Sequence, residues 1–309
     1  MAALALGWMS GCASYPRLTQ PPVPPPSSAV YMLSDDGVEL YTLVEGENHP
    51  RGVVWYVLGP EIGSAPLYPE FTTALHQAGF ATATVHPRGT GYSPGLRGDI
   101  EDYSLFLSDY QAFVSHLHKL FPTKPLFLLG HSAGAAFALQ VAATSPGAAA
   151  GLILVNPAYK LIYSEGMGPS FGDYVKYAAN YVFRSSALTV DMNSNPAAIT
   201  NEGDRTEAYA MQNDPLVVRY FSMRYMVAQG KVMDACASNI AAADLPVLIV
   251  QGAHDTLVDP KGTDELLAAA KSRDKQKLVA RNAGHGSAAV ESMVGELVKW
   301  ISGHAPELD

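Results

Sequence analysis

The chain has 309 residues, 48% of them hydrophobic, enough to bury a sizeable core in one large domain with an insertion or in two small ones. Its 29 acidic against 20 basic residues leave a net charge of -9, with no Lys/Arg cluster, which excludes nucleic acid as an electrostatic partner. The two cysteines, Cys12 and Cys236, could close one bridge at most, so a disulfide framework is excluded as well.

In chain order, residues 1–11 are apolar and small and lead into Met9-Ser10-Gly11-Cys12-Ala13-Ser14. This stretch is too short to span a bilayer. It resembles the lipobox of a bacterial lipoprotein, in which a lipid is attached to the cysteine after cleavage before it. Met9 stands where leucine is usual, and no Lys or Arg precedes the apolar part. The resemblance implies lipidation at Cys12 and a membrane partner reached through that lipid. Ala13 rather than Asp at the next position implies a bacterial envelope location at the outer membrane. Residues 12–29, with Pro16, Pro21, Pro22, Pro24, Pro25 and Pro26, read as an extended tether unable to form a core.

The folded part is expected from Val30. Two short apolar runs flank Asp35-Asp36-Gly37, a hairpin signal, and Val53 to Leu58 is a strand buried on both faces. Pro69 to Gly79 is a helix and Phe80 to Val85 a strand. The loop after it, His86 to Gly95, contains Gly89-Thr90-Gly91 but has Pro94 where a dinucleotide fingerprint needs glycine, so no nucleotide site is read there. Phe106, Tyr110, Phe113, Val114, Leu117, Leu120 and Phe121 form one stripe of a long amphipathic helix, with His116 and His118 expected on its solvated side.

Pro125 to Gly134 then reads as a buried strand, a sharp turn and the start of a helix of small residues. It contains Gly130-His131-Ser132-Ala133-Gly134, the Gly-x-Ser-x-Gly nucleophile elbow. Gly151 to Val155 is a further strand. Regularity stops over 157–237, a segment crowded with Tyr and Met that is too long for a loop and reads as an inserted cap. Strand 245–252, helix 261–271, strand 276–281 and helix 288–302 complete the alternation. The expected fold class is therefore α/β, a mostly parallel central sheet flanked by helices. Its core is 30–156 plus 238–309, with a helical cap inserted after the sixth strand.

Three strand ends carry residue types suited to acyl transfer: Ser132, Gly252-Ala253-His254-Asp255, and Gly284-His285-Gly286. A serine hydroxyl needs an imidazole to take its proton, and the imidazole needs a carboxylate to hold its tautomer. The order Ser, Asp, His is that of the α/β-hydrolases. From about Asp35 to Trp300 the chain resembles their monoacylglycerol lipase and lysophospholipase (serine aminopeptidase S33-type) group, through His86-Pro87-Arg88-Gly89-Thr90-Gly91-Tyr92-Ser93, the elbow, Gly252 to Val258, and Gly284-His285.

The resemblance implies Ser132 as nucleophile, Asp255 as acid and His285 as base, with Asp259 a neighbouring competitor for the acid and Asp244 at the wrong end of the sheet. His131 and His254 are expected to make only local hydrogen bonds. One oxyanion donor would be the N–H of Ala133. The other comes, in the family, from a His-Gly-x loop after the third strand, where this chain has Leu58-Gly59-Pro60-Glu61. Proline has no N–H, and losing a donor costs roughly 2.7–4 kcal/mol of transition-state stabilisation. A one-residue shift would make the Glu61 N–H the donor. The implied activity is hydrolysis of carboxylic esters of monoacyl lipids, a small lipid-like substrate, through an acyl-enzyme and with no metal or organic cofactor. A prolyl aminopeptidase-like hydrolase and a non-catalytic envelope lipoprotein are the alternatives. The Met and aromatic residues of 157–237 are expected, taken together, to form an apolar roof over Ser132, although most of them taken singly read as the cap's own small core.

Overall fold

The structure is a computed structural model that describes residues 8–9, 14–46, 49–59, 68–162, 171–192 and 196–305. The first half of the chain forms β1 (Trp8–Met9), β2 (Val30–Leu33), β3 (Glu39–Glu45), β4 (Val53–Val57), α1 (Pro69–Gln77), β5 (Ala81–Val85), α2 (Ser104–Leu120), β6 (Leu126–His131), α3 (Ala133–Thr144) and β7 (Gly151–Val155). The inserted stretch holds α4 (Phe171–Arg184), β8 (Leu188–Asp191), α5 (Glu202–Asn213), β9 (Tyr220–Ser222), α6 (Met223–Asp234) and α7 (Cys236–Ala242). The chain closes with β10 (Val247–Gly252), α8 (Pro260–Ala269), β11 (Lys275–Ala280), α9 (Ala288–Glu291) and α10 (Val294–Gly303).

Eight strands make one sheet in the order β11-β10-β7-β6-β4-β5-β3-β2, parallel from β11 to β5 and antiparallel through β3 and β2. The chain leaves β4 for β5 on one side and returns as β6 on the other. The order therefore reverses at β4, where open sheets bind their ligands beyond the strands' carboxyl ends. The central strands are apolar on both faces because both are covered. Val53, Trp55, Val57, Leu126 and Leu128 face a layer built from α2, α3 and α6 to α8, while Val54, Tyr56, Phe127 and Leu129 face α1, α9 and α10.

The stripe of α2 buries Phe106, Tyr110, Phe113, Val114 and Leu117, but Leu120, the last residue of the helix, is exposed. His116, expected in solvent, is half-buried with its ring stacked on Phe113, and burial lowers its pKa. His118 is exposed. The helix expected over 288–302 is two helices separated at Ser292-Met293.

The inserted stretch is not wholly helical: β8 pairs with β9 and with β1 in a small antiparallel sheet. Part of its apolar content belongs to a core and not to a roof. Tyr177, Phe221, Met223, Tyr225, Met226 and Met233 are buried in the cluster that continues from the main sheet, because α6 and α7 lie on α3. Cys236 lies there too, and burial pushes its thiol up to about 12. Met167 and Tyr163 lie outside the described residues.

Residues 14–19 do not behave as a free tether. Tyr15 stacks on Tyr220 with ring centroids 3.5 Å apart, and its N–H donates to the Leu188 carbonyl. Leu18 and Thr19 carbonyls accept from the N–H groups of Arg97 and Gly95. Arg17 pairs with Asp99, a buried carboxylate that also takes the Ser222 hydroxyl at 2.6 Å and the Arg224 guanidinium. A buried carboxylate needs such partners, and here they come from the N-terminal segment and the insertion together.

Candidate active site

The elbow is built by close approach. A Cβ on Gly130 would lie 2.5 Å from the Ala135 Cα, and one on Gly134 would lie 2.2 Å from the Val57 carbonyl oxygen. Ser132 between them is held at φ 53°, a strained value for a residue with a side chain, with its N–H on the Val155 carbonyl and its own carbonyl taking Ala135 and Ala158. That turn lifts Oγ above the end of β6. There Oγ lies 2.9 Å from His285 Nε2, and His285 Nδ1 lies 2.9 Å from Asp255 Oδ2. The imidazole thus donates from Nδ1 to Asp255 and accepts the serine hydroxyl at Nε2.

The Asp255 side chain is fully buried, and its Oδ1 accepts the N–H groups of Leu257 and Val258 at 2.8 and 2.9 Å. Burial pushes its pKa up, but the bond and charge of His285 and the two N–H groups outweigh that and hold it below the usual carboxylate range. Asp259, the neighbouring carboxylate, instead caps α8 by accepting the Lys261 N–H. Asp244 is exposed just before β10, at the opposite end of the sheet.

Around this chain of bonds lie Asn156, which sequence reasoning passed over, and His131, whose bonds are not local as expected but reach Tyr68 and the His285 loop because the strand ends converge there. Asn156, fully buried with φ 42° at the end of β7, accepts the Gly252 N–H on Oδ1 at 2.7 Å. Its Nδ2 donates to the Gly284 and His285 carbonyls at 3.1 and 2.9 Å. One side chain therefore joins the ends of β7 and β10 to the His285 loop. His131 Nε2 donates to the same His285 carbonyl at 2.5 Å, which leaves Nδ1 to accept the hydroxyl of buried Tyr68 at 3.0 Å. Burial and the nearby His285 push the pKa of His131 down to about 4, so it is a neutral ring near pH 7. His254 is exposed, and its backbone N–H donates not within its own loop but to the Ala283 carbonyl after β11.

From the insertion, Asp204 Oδ2 and Oδ1 accept the N–H groups of His285 and Gly286 at 2.7 and 2.9 Å, and Glu207 Oε2 accepts that of Ser287 at 2.7 Å. In the sequence Asn201-Glu202-Gly203-Asp204 reads as an ordinary helix start, and nothing local marks either carboxylate as facing a residue some 80 positions away.

As the first residue of α3, Ala133 has an N–H without a partner inside the helix. Gly59 lies beside the elbow, its nitrogen 3.2 Å from a Cβ built on Gly134. Pro60 and Glu61 lie outside the described residues, as does Cys12. Among the described residues no group of three or more His, Cys, Asp or Glu is arranged to hold a metal, and no helix is long and apolar enough to cross a membrane.

A strand-order reversal, a strained serine and a Ser-His-Asp chain of hydrogen bonds at the strands' carboxyl ends define an α/β-hydrolase. The profile of the family described as Serine aminopeptidase, S33 matches residues 48–289, and the chain belongs to that family. It is 29% identical over 224 residues to the monoglyceride lipase of Homo sapiens, covering 69% of this chain and 70% of that one. To the monoacylglycerol lipase of Mycolicibacterium smegmatis it is 25% identical over 279 residues, covering 86% and 93%. Among solved structures, the monoacylglycerol lipase of Paleococcus ferrophilus superposes with a TM-score of 0.71 at 24% identity, covering 86% of this chain and all of that one. A soluble variant of the monoglyceride lipase of Saccharomyces cerevisiae, solved with a substrate analog, gives 0.73 at 20% identity, covering 93% and 99%. The fold is shared with both.

Proposed function

We propose that the protein is a serine ester hydrolase acting on monoacyl lipid esters, monoacylglycerols or lysophospholipids, through an acyl-enzyme on Ser132. The observation that carries the reading is the Ser132-His285-Asp255 chain, with 2.9 Å at each link. In the first half-reaction the Ser132 Oγ–H proton passes to His285 Nε2 as Oγ bonds to the ester carbonyl carbon. Asp255 holds the imidazolium that forms, and the carbonyl electron pair moves to oxygen, facing the Ala133 N–H and, on the shifted alignment, that of Glu61. As the oxyanion collapses, the C–O bond to the alcohol breaks and His285 returns the proton to the leaving oxygen. Water repeats the sequence on the acyl-enzyme and frees the fatty acid.

Similarity to monoglyceride lipases from several sources supports a lipid acyl chain as substrate. Asp204 and Glu207 of the insertion reach the His285 loop. Both are engaged by loop N–H groups, which supports an ester reading over an aminopeptidase with an acidic site for the substrate's amine. The test is fluorophosphonate labelling of the native protein and of Ser132→Ala, followed by p-nitrophenyl esters of increasing chain length below their aggregation limits. Labelling is expected in the native protein alone, and kcat/KM is expected to rise a few-fold per methylene, because each buried CH₂ contributes up to about 0.8 kcal/mol. A preference for acetyl over decanoyl esters overturns the lipid reading.

Lipidation of Cys12 after cleavage at Gly11, with attachment to the outer membrane, belongs to the same proposal and rests on the lipobox-like stretch alone. Such processing would remove Trp8–Met9 from β8. Cys12→Ser is expected to move the protein from the membrane to the soluble fraction, and unchanged detergent partitioning overturns the anchor.

A further inference from the structure

We infer that Asp204, on α5 of the insertion, is a positioning residue for His285, so that the base is held by the cap as much as by the sheet. The inference rests on the reading of Ser132, His285 and Asp255 as a catalytic unit. Three consecutive N–H groups of the His285 loop are taken by cap carboxylates: those of His285 and Gly286 by the two oxygens of Asp204, and that of Ser287 by Glu207. The His285 carbonyl, on the other side of the same residue, is taken by His131 and Asn156. Both polar ends of His285 are thereby fixed, one from the cap and one from the sheet, and the direction of its Cα–Cβ bond follows.

Two independent features show that the loop and the helix are fitted to each other. A Cβ on Gly284 would stand 2.1 Å from Asp204 Oδ2, and one on Gly286 would stand 2.5 Å from Glu207 Oε2. The absence of side chains on both flanks of His285 is what lets the carboxylates reach the backbone. On α5, the usual duty of an acidic residue in the first turn is to satisfy the helix's own N–H groups. Here the Asn201 side chain does that, accepting the Asp204 N–H at 3.0 Å, so the Asp204 carboxylate is available to cross to the loop. Seating the cap and placing the base are then one event. When α5 lifts, the loop loses its anchor on the N–H side, and His285 drifts from Ser132 and Asp255.

The test compares Asp204→Asn and Asp204→Ala with the native enzyme on a small soluble ester, p-nitrophenyl acetate, which needs little of the cap for binding. A displacement of about 1 Å at the reacting groups costs on the order of 10²-fold. For Asp204→Ala, kcat is expected to fall about 10- to 100-fold with KM within about two-fold, and the low-field proton resonance of the His285–Asp255 hydrogen bond to broaden or vanish. Asp204→Asn, which keeps the shape and one acceptor oxygen, is expected to retain intermediate activity and guards against a folding defect in the alanine variant. The inference is overturned if kcat and the low-field proton are unchanged in both variants, or if only KM or thermal stability moves, which would make Asp204 a fastener of the cap and nothing more. Ser132→Ala separates the two levels: activity surviving there sinks the proposed function itself, whereas a dead Ser132→Ala beside a fully active Asp204→Ala sinks only the positioning role.

Discussion

On the sheet side of the site, Ser132, Asn156 and Asp255 each follow a strand directly or within a few residues. Their backbones are held by neighbouring strands and by turns closed within a few residues, as where Asp255 accepts from Leu257 and Val258. On the cap side, α5 contributes no buried residue, and it reaches the site only through carboxylates crossing to loop N–H groups. The first region is rigid because its strands are buried on both faces; the second is secured by polar bonds at a wet boundary, the kind that open locally at low free-energy cost. On the proposed function, an active site divided in this way keeps Ser132 and Asp255 in place while its cap admits substrate.

The largest effect should come from the sheet side. Ser132→Ala and His285→Ala are each expected to cost on the order of 10⁵- to 10⁶-fold in kcat, with almost no further loss in the double variant, because groups that act as a unit do not add. Additive losses in single-turnover measurements would break the division at its root. Asn156→Ala comes next. It strips the Gly252 N–H and the Gly284 carbonyl of a buried partner, at about 1–3 kcal/mol for each group left unsatisfied. Urea denaturation should show that loss, and kcat/KM should fall with it. A stability equal to that of the exposed cap variant Glu202→Ala would show that the sheet side is not the stiffer half.

The third effect is pH-dependent and probes the junction. His86, at the head of the loop that contacts both the N-terminal segment and β9, is buried and accepts the Tyr92 N–H on Nδ1. Burial, reinforced by Arg97, holds its pKa down to about 4 against 6.5 in the unfolded chain. Between those values the unfolded state binds the extra proton, so stability is full above about pH 6.5 and declines as pH falls towards 4, by roughly 3 kcal/mol for this residue. His131 acts in the same sense, while Asp109 and Glu291, whose pKa values burial raises, oppose it. Denaturation of His86→Gln at several pH values should show a visibly flatter slope, and an unchanged slope would remove His86 as its source. The smallest effect is expected at Asp259. Asparagine also caps a helix, so Asp259→Asn should alter stability by a few tenths of a kcal/mol and leave kcat/KM alone. A loss matching that of Asp255→Asn would transfer the acid to position 259.

Much of this was legible in the chain before any coordinates. The periodicities place the eight strands of the main sheet within a residue or two, the glycines at 130 and 134 mark the elbow, and the order Ser132, Asp255, His285 picks out the three side chains that the fold brings within hydrogen-bond distance. Local pattern carries that information, since strand burial, tight turns and strand-end placement each depend on a few consecutive residues. The docking of Tyr15, Arg17 and Thr19 was not legible, because proline-rich composition describes what a segment does alone, whereas its partners Asp99, Tyr220 and Gly95 come from distant turns. Which apolar residues of the insertion join a core was not legible for a related reason: a hydrophobic residue at helical spacing says that a face is buried but not against what, and α3 lies against α6 and α7.

By itself, then, the sequence determined the alternation of strands and helices and which serine, histidine and aspartate stand at strand ends, while the strand order that reverses at β4 came from the tertiary structure. Only the tertiary structure decided that Asn156 and His131 would share the carbonyl of His285, and that Asp204 would take its N–H. Those bonds join residues with no common periodicity, those of Asp204 needing the absence of side chains at Gly284 and Gly286, and a contact that depends on two distant backbones meeting leaves no pattern in either one alone.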